Sequence, residues 1–322
     1  MSIKEITLEE LNAGEFIDKQ VAALSSAVGD EVAINALSGG VDSSVVTLLG
    51  HRAFGDRLKT YFIENGLMRE GEPQQIVKWF ADLGVKVEIV DARDKFFAGL
   101  KGISDPEEKR EQGITQVFYK DVFADLVRQS GASVLLQGTN YTDVEETAAG
   151  VKRQHNVFEQ IGIDPEEAFG YRVIEPILEL RKPAVRVVAR ALGLPAEISE
   201  RPPFPGPALA ARVVGEATPE RIETVRKATT IVEDELAESG AFQYMAILHE
   251  DMVTGIREGK RDFGQQIEVR CWESTDAVTA TPTELPFATL RTIADRIVDE
   301  VPGVVSVTYN VTAKPPSCIE AV

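Results

Sequence analysis

Two cysteines in 322 residues, Cys271 and Cys318, leave no room for a zinc-ligand spacing, a CxxC pair or a disulfide framework, and fit a reducing compartment. Histidine is nearly as scarce, at three residues, His51, His155 and His249, and with no nucleophile-elbow cysteine this argues against a glutaminase domain. No stretch approaches the roughly 18 consecutive apolar residues that a membrane span needs, and the first residues, MSIKEITLEELNAGEF, lack the pattern of a secretory leader. A cytoplasmic protein with no membrane association is the expectation. Basic residues are outnumbered, 34 against 52 acidic, for a net charge of −18, which opposes attraction to phosphate backbones and favours a small substrate over nucleic acid. Aromatics make up 7% and hydrophobic residues 43%, an ordinary globular composition whose length suggests two domains.

Periodicity then gives the fold class. Short apolar runs, EVAINAL (31–37), LKTYFIE (58–64), VKVEIVDA (85–92) and SVLLQGT (133–139), alternate with helical patterns such as VDSSVVTLLGHRAF and VFYKDVFADLVRQSG, the latter stopped by Gly131. That alternation predicts an α/β protein with a doubly wound parallel sheet, binding its ligand at the carboxyl ends of the strands. The pattern weakens across about 140–172, which reads as a lid, and RVIEPI resumes order. Four prolines in RPPFPGPALAARV, from Arg201, forbid continuous helix and place a domain boundary, giving domains 1–200 and 201–322. Beyond it a helix (PERIETVRKATTIVEDELAESG), strands (FQYMAIL, QQIEVRCW, VVSVTYNV) and a second helix (FATLRTIADRIVDEV) predict a small α+β unit.

Chemistry concentrates at the first strand-to-helix junction, Ser38-Gly39-Gly40-Val41-Asp42-Ser43-Ser44. Two glycines let the backbone turn tightly and approach a ligand, and the helix N-terminus behind them offers positive partial charge to an anion. A plain turn with Asp42 or Ser43 capping the helix is the competing reading. Neither the Walker pattern nor GxGxxG is present.

SGGVDSS resembles the PP-loop of N-type ATP pyrophosphatases, which cleave ATP between its α and β phosphates to adenylate a substrate oxygen. Beyond it, ENGLMREGE, SDPEEKR, QGTNYTDVEET, KRQHNV, IEPILELRKPAVR, RPPFPGPALAARVVGE, STDAVTATP and KPPSCIE follow in the order of the synthetase portion of GMP synthetase. The resemblance implies ATP-dependent adenylation of XMP and its amination to GMP, with ATP and magnesium as cofactors and a smaller C-terminal domain that dimerises. It implies that Ser38 through Ser44 hold the β and γ phosphates, with Asp42 a candidate magnesium ligand, and that Gln137, Gly138 and Thr139 lie near the ribose or α-phosphate. Asp143, Glu146, Lys152 and His155 match catalytic positions of the family's lid, while Arg201, Lys314, Ile319 and Glu320 match its XMP-binding positions. With no glutaminase domain recognisable, nitrogen is expected as free ammonia or from a separate glutamine amidotransferase subunit.

Departures from the family pattern fall on the lid and acceptor side. Lys152-Arg153-Gln154-His155 lacks one histidine of the family's lid, Ala208 stands for a glycine, Met252 for an arginine, and the tail ends Ile319-Glu320-Ala321-Val322. They leave open a second reading, a GMP-synthetase-like paralogue that adenylates another acceptor for nitrogen or sulfur insertion.

Overall fold

The structure, a computed structural model, describes residues 3–148, 171–200, 204–275 and 277–321, with the side chains of 146–148 left out. The chain divides into two compact units. The first comprises Met1–Glu64, Pro73–Ala92 and Tyr119–Arg201; the second comprises Asn65–Glu72, Arg93–Phe118 and Pro202–Val322.

The first unit is built on five parallel strands: β1 (Ala33–Ala36), β2 (Leu58–Glu64), β3 (Val87–Asp91), β4 (Val134–Leu136) and β5 (Arg172–Ile174), in the spatial order β3-β2-β1-β4-β5. This is the expected doubly wound α/β sheet. Strand order reverses at β1, so the crevice beyond the carboxyl ends of β1 and β4 is the topological switch point. β1 and β4 read as short apolar runs because the sheet centre is covered on both faces: Ala33, Ile34, Val134 and Leu136 are fully buried. Two helices, α1 (Ala13–Val28) and α2 (Val41–Phe54), pack together on the sheet with the helix Lys182–Leu192. α2 can approach so closely because Gly50 has no side chain; a Cβ there would sit 2.6 Å from Leu136. The expected helix over VFYKDVFADLVRQSG is present in two parts, π-helical turns over Lys109–Phe123 and an α-helix Ala124–Ser130 that ends at Gly131 with φ 66°.

The second unit pairs β6 (Gln243–Arg257) with β7 (Lys260–Glu273) in an antiparallel hairpin, with β8 (Thr281–Pro282) and β9 (Val304–Tyr309) also on β7. Both strands run further than their apolar runs suggested. The hairpin continues through Met252–Arg257 and Lys260–Gln265, closed by Glu258 and Gly259, both at positive φ as a two-residue turn of this kind requires. The helix Pro219–Leu236, opened by Thr218 accepting from the Arg221 amide, packs on β6, and the helix Phe287–Glu300 packs on β9. Among the described residues no helix is long and apolar enough to cross a membrane.

Candidate active site

In the first unit the chain leaves β1 and turns through Ser38, Gly39 and Gly40 into α2. Gly39 sits at φ 80°, a region closed to most side chains, and Gly40 is the N-cap, with no side chain capping the helix. The capping alternative for Asp42 and Ser43 is therefore not what this turn does. Ser43 instead folds back: its Oγ donates to the Gly40 carbonyl at 3.1 Å, accepts from the Ser38 amide at 3.2 Å, and lies 3.0 Å from the Ser38 Oγ. Ser44 Oγ also donates to the Gly40 carbonyl, at 2.8 Å. The result is a preformed concave turn with uncapped amides at its mouth, suited to an anion.

A buried polar chain fixes this turn from behind. Thr47 Oγ1 donates to the Ser43 carbonyl at 2.7 Å and accepts from Asn35 Nδ2 at 2.6 Å, while Asn35 Oδ1 accepts from Thr60 Oγ1 at 2.8 Å. Asn35, Thr47 and Thr60 thereby tie β1 and β2 to the first turn of α2. β4 supplies the opposite wall. A Cβ on Gly138 would lie 3.3 Å from both the Asp42 carbonyl carbon and the Ser43 nitrogen, so the segment Gln137-Gly138-Thr139 passes directly against the loop. Thr139 Oγ1 accepts from Gln137 Nε2 at 3.4 Å and donates to Glu175. Asn140 and Asp143 close a reciprocal turn, each backbone amide donating to the other's side chain at 3.1 and 3.2 Å.

Asp42 is only partly exposed, and its Oδ1 is sealed from solvent. Burial pushes its carboxyl up to about 6; the charge of Asp143 adds to the rise, and Lys182, Arg186 and the Asn140 amide pull against it. Lys182 and Arg186 stand one turn apart at the start of the helix Lys182–Leu192. Two carboxylates whose charges repel, set among cations at a phosphate-sized turn, form a place where a bound divalent cation and its anion would relieve an existing electrostatic cost. Magnesium usually takes one or two carboxylates and completes its shell with water and phosphate oxygens, so Asp42 and Asp143 fit it; among the described residues there is no larger carboxylate or histidine cluster for a metal.

The second unit has its own buried polar cluster. Arg212 is fully buried and Arg69 nearly so, and their guanidinium groups stack on the Phe204 ring at 4.9 and 3.8 Å. Glu320 lies beside Arg212: its Oε2 is 3.8 Å from Arg212 Nε and among the described residues accepts no hydrogen bond, and its Oε1 accepts from Gln243 Nε2 at 2.9 Å. Burial raises the Glu320 carboxyl above its usual range, against the pull of Arg212. Among the described residues, Trp272 Nε1 and Arg69 Nη1 are likewise buried without an acceptor. Ile319 packs with Met245, Ile247, Trp272 and Ala280 beneath. Buried charged and polar groups thus gather near one aromatic ring, Phe204.

Comparison with known proteins settles the lineage. Residues 230–321 match the family model described as GMP synthase C terminal domain. Over 310 residues the chain is 46% identical to the B-type subunit of GMP synthase (glutamine-hydrolyzing) from Archaeoglobus fulgidus, covering 96% of this chain and 99% of that one. The proteins of the same name from Pyrococcus furiosus and Methanothermobacter thermautotrophicus are 44% and 45% identical, again over at least 95% of this chain. The chain belongs to the family of B-type GMP synthase subunits. A looser structural likeness, to an NMN synthetase from Francisella tularensis (TM-score 0.48, 17% identity, 62% of this chain and 78% of that one), is too weak to carry weight.

As a member of this GMP synthase family, the chain brings its sequence-marked residues together in two groups. Ser38 through Ser44, Gln137, Gly138, Thr139 and Asp143 gather at the switch point of the first unit, and in the second Glu320 lies beside Arg212 while Ile319 packs in the apolar cluster around Trp272. Lys314 Nζ donates to the Ala277 carbonyl at 2.8 Å, beside the backbone bridge between Lys314 and Ala280. Lys152, His155, Arg201 and the side chain of Glu146 lie outside the described residues. Sequence reasoning missed Lys182 and Arg186, Arg69, Arg212 and Gln243. The first four sit inside quoted family stretches and carried a signal there; Gln243, in a plain strand, carried none. Of the departures, Ala208 does adopt the left-handed backbone suited to the family's glycine, at φ 52°, and Met252 lies more than half exposed on the outer hairpin. Cys271 is buried core with its thiol pushed up by burial, and Cys318 is exposed.

Proposed function

We propose that this protein is the synthetase subunit of a two-subunit GMP synthase: it adenylates the C2 oxygen of XMP with ATP, releasing pyrophosphate, and ammonia then displaces AMP to give GMP. The observation that carries this reading is the near-complete match, end to end, to proteins named as B-type subunits of GMP synthase. The preformed loop at Ser38–Ser44 supports it from the chemical side.

On this reading Ser38, Gly39, Gly40, Val41, Ser43 and Ser44 hold the β and γ phosphates through the loop's amides and hydroxyls, and Gln137, Gly138 and Thr139 line the nucleotide from β4. Asp42 and Asp143 hold magnesium, which when bound neutralises charge on the phosphates. Lys182 and Arg186, with Lys152 and His155, oppose the negative charge that spreads over the α-phosphate and the leaving pyrophosphate. Glu146, by the resemblance, serves with Asp143 as a catalytic acidic residue. The second unit recognises the acceptor, with Arg201 and Lys314 contributing charge to the nucleotide phosphate, Ile319 an apolar floor and Glu320 an acceptor for base N–H groups.

Ammonia comes from a separate glutamine amidotransferase subunit, a reading that the relatives' naming as one subunit of a glutamine-hydrolyzing enzyme supports. A homodimer through the second unit follows from the resemblance, and the exposed Met252, Ile256 and Phe263 of the outer hairpin support it. The two unpaired thiols suit the cytoplasm. The test is transfer of nitrogen-15. Purified protein with ATP, XMP and labelled ammonium yields labelled GMP, while labelled glutamine alone yields none. Labelled GMP from glutamine without any second protein would overturn the two-subunit assignment.

A further inference from the structure

Glu320 and Ile319 belong to the last few residues of the chain, where polypeptides usually fray. Here the end is held by a specific device. Arg270, on β7, directs one nitrogen, Nη1, at three successive carbonyls of the tail: Cys318 at 2.8 Å, Ile319 at 3.3 Å and Glu320 at 3.2 Å. Its Nε donates to Glu268 Oε1 at 2.5 Å, and Glu268 Oε2 lies 2.7 Å from His249 Nε2. Glu268 and Arg270 are two residues apart on one strand and share a face, while His249 comes from the paired strand. Both charged side chains are mostly buried, at 14% and 12% exposure, so their bonds are little screened. A planar guanidinium suits this task because one edge binds a carboxylate while the other is left for carbonyls; an ammonium has no second edge. The pair also borders an open cavity of about 500 Å³ together with Tyr309, Pro316 and Ser317. Truncating Arg270 would admit water there and not leave a sealed void.

We propose that Arg270 is a positioning residue for acceptor recognition: oriented by Glu268 and His249, it clamps the carbonyls of residues 318–320 and so keeps the Glu320 carboxylate beside Arg212. The clamp is a statement about this fold; its consequence for XMP rests on the function proposed above. Two readouts on the full-length protein separate them.

The first is timed carboxypeptidase digestion followed by intact mass. In the parent protein trimming stalls before Glu320 is released, whereas Arg270→Gln releases it at least about tenfold faster, the size of losing one charge-assisted hydrogen bond. Arg270→Lys and Glu268→Gln fall between. The second is the kinetic split. Arg270→Gln raises KM for XMP about tenfold, while KM for ATP and kcat at saturating XMP stay within about twofold, as removal of ground-state binding requires. Heat unfolding within a few degrees of the parent shows that the variant folds; should Arg270→Gln fail that check, Glu268→Gln and Arg270→Lys carry the same two measurements. Unchanged tail protection overturns the clamp whatever the kinetics, including the case in which Arg270 touches substrate directly. A freed tail with unchanged KM for XMP overturns its role in recognition. Parent protein inactive toward XMP would refute the proposed function, and the digestion would still decide the clamp.

Discussion

Replacing Asp42 by asparagine separates the stability of the first unit from its chemistry. A carboxyl whose pKa is higher in the folded protein than in the unfolded chain binds its proton more tightly when folded. The stability it contributes is therefore complete below about pH 4 and is lost as pH climbs through about 6. Asparagine has no proton to lose, so the difference between variant and parent opens across that same window. The rise from an ordinary 3.8 to about 6 corresponds, at about 1.4 kcal/mol for each tenfold, to an upper bound of about 3 kcal/mol. Asp42 is only partly enclosed, and solvent at its outer face screens the penalty, so about 1–2 kcal/mol is expected. For a unit of this size that is about 3–8 °C in melting temperature. The assay is thermal unfolding without nucleotide at pH 5 and pH 8, alongside pyrophosphate release. Asp42→Asn should melt higher than the parent at pH 8, by a margin that shrinks toward pH 5, while releasing almost no pyrophosphate. A margin that is absent at pH 8, or equal at both pH values, refutes the electrostatic argument; normal turnover removes Asp42 from the mechanism.

Three further outcomes follow from the same geometry. Lys182 holds the Asp42 carboxyl down, so Lys182→Met should carry the acid limb of pyrophosphate release upward by several tenths of a pH unit, and an unmoved limb denies the coupling. Gly138→Ala places a methyl 3.3 Å from the loop backbone, and displacing the loop by a few tenths of an ångström should lower kcat/KM for ATP about tenfold with little change in melting temperature; a fully active variant means the loop is not held by β4. Ala208→Gly relieves a left-handed backbone at φ 52° and should stabilise the second unit by about 1 kcal/mol in thermal or denaturant unfolding, whereas a loss would show that Ala208 is unstrained.

The parts of this molecule that were legible in the sequence are those in which one local signal decides the structure. β2 was bounded to the residue because LKTYFIE is a continuous apolar-rich run between a turn and polar loop residues, and the SGGVDSS junction was placed because glycines can only mean a turn there. The outer half of the β6–β7 hairpin was not legible. HEDMVTGIREGKRDF has charges on both strands and no apolar run, and it is strand because each half pairs with the other, which is a long-range fact. The same limit applied to the sites. A glycine loop announces itself, but Lys182 and Arg186 act on Asp42 only after the chain has crossed the sheet, and Arg69 and Arg212 meet over Phe204 only in three dimensions. Asn35, Thr47 and Thr60, which hold the loop from behind, look in sequence like ordinary strand and helix residues.

The central claim, that the loop at Ser38–Ser44 serves ATP cleavage directed at XMP, is tested most directly by pyrophosphate release from purified protein with magnesium and ATP, comparing no acceptor, XMP, and IMP, each with and without ammonium. Release that depends on XMP, with AMP and GMP formed in step when ammonium is present, is the outcome the account predicts. Tight ATP binding with release indifferent to XMP, or driven equally by IMP, would contradict it.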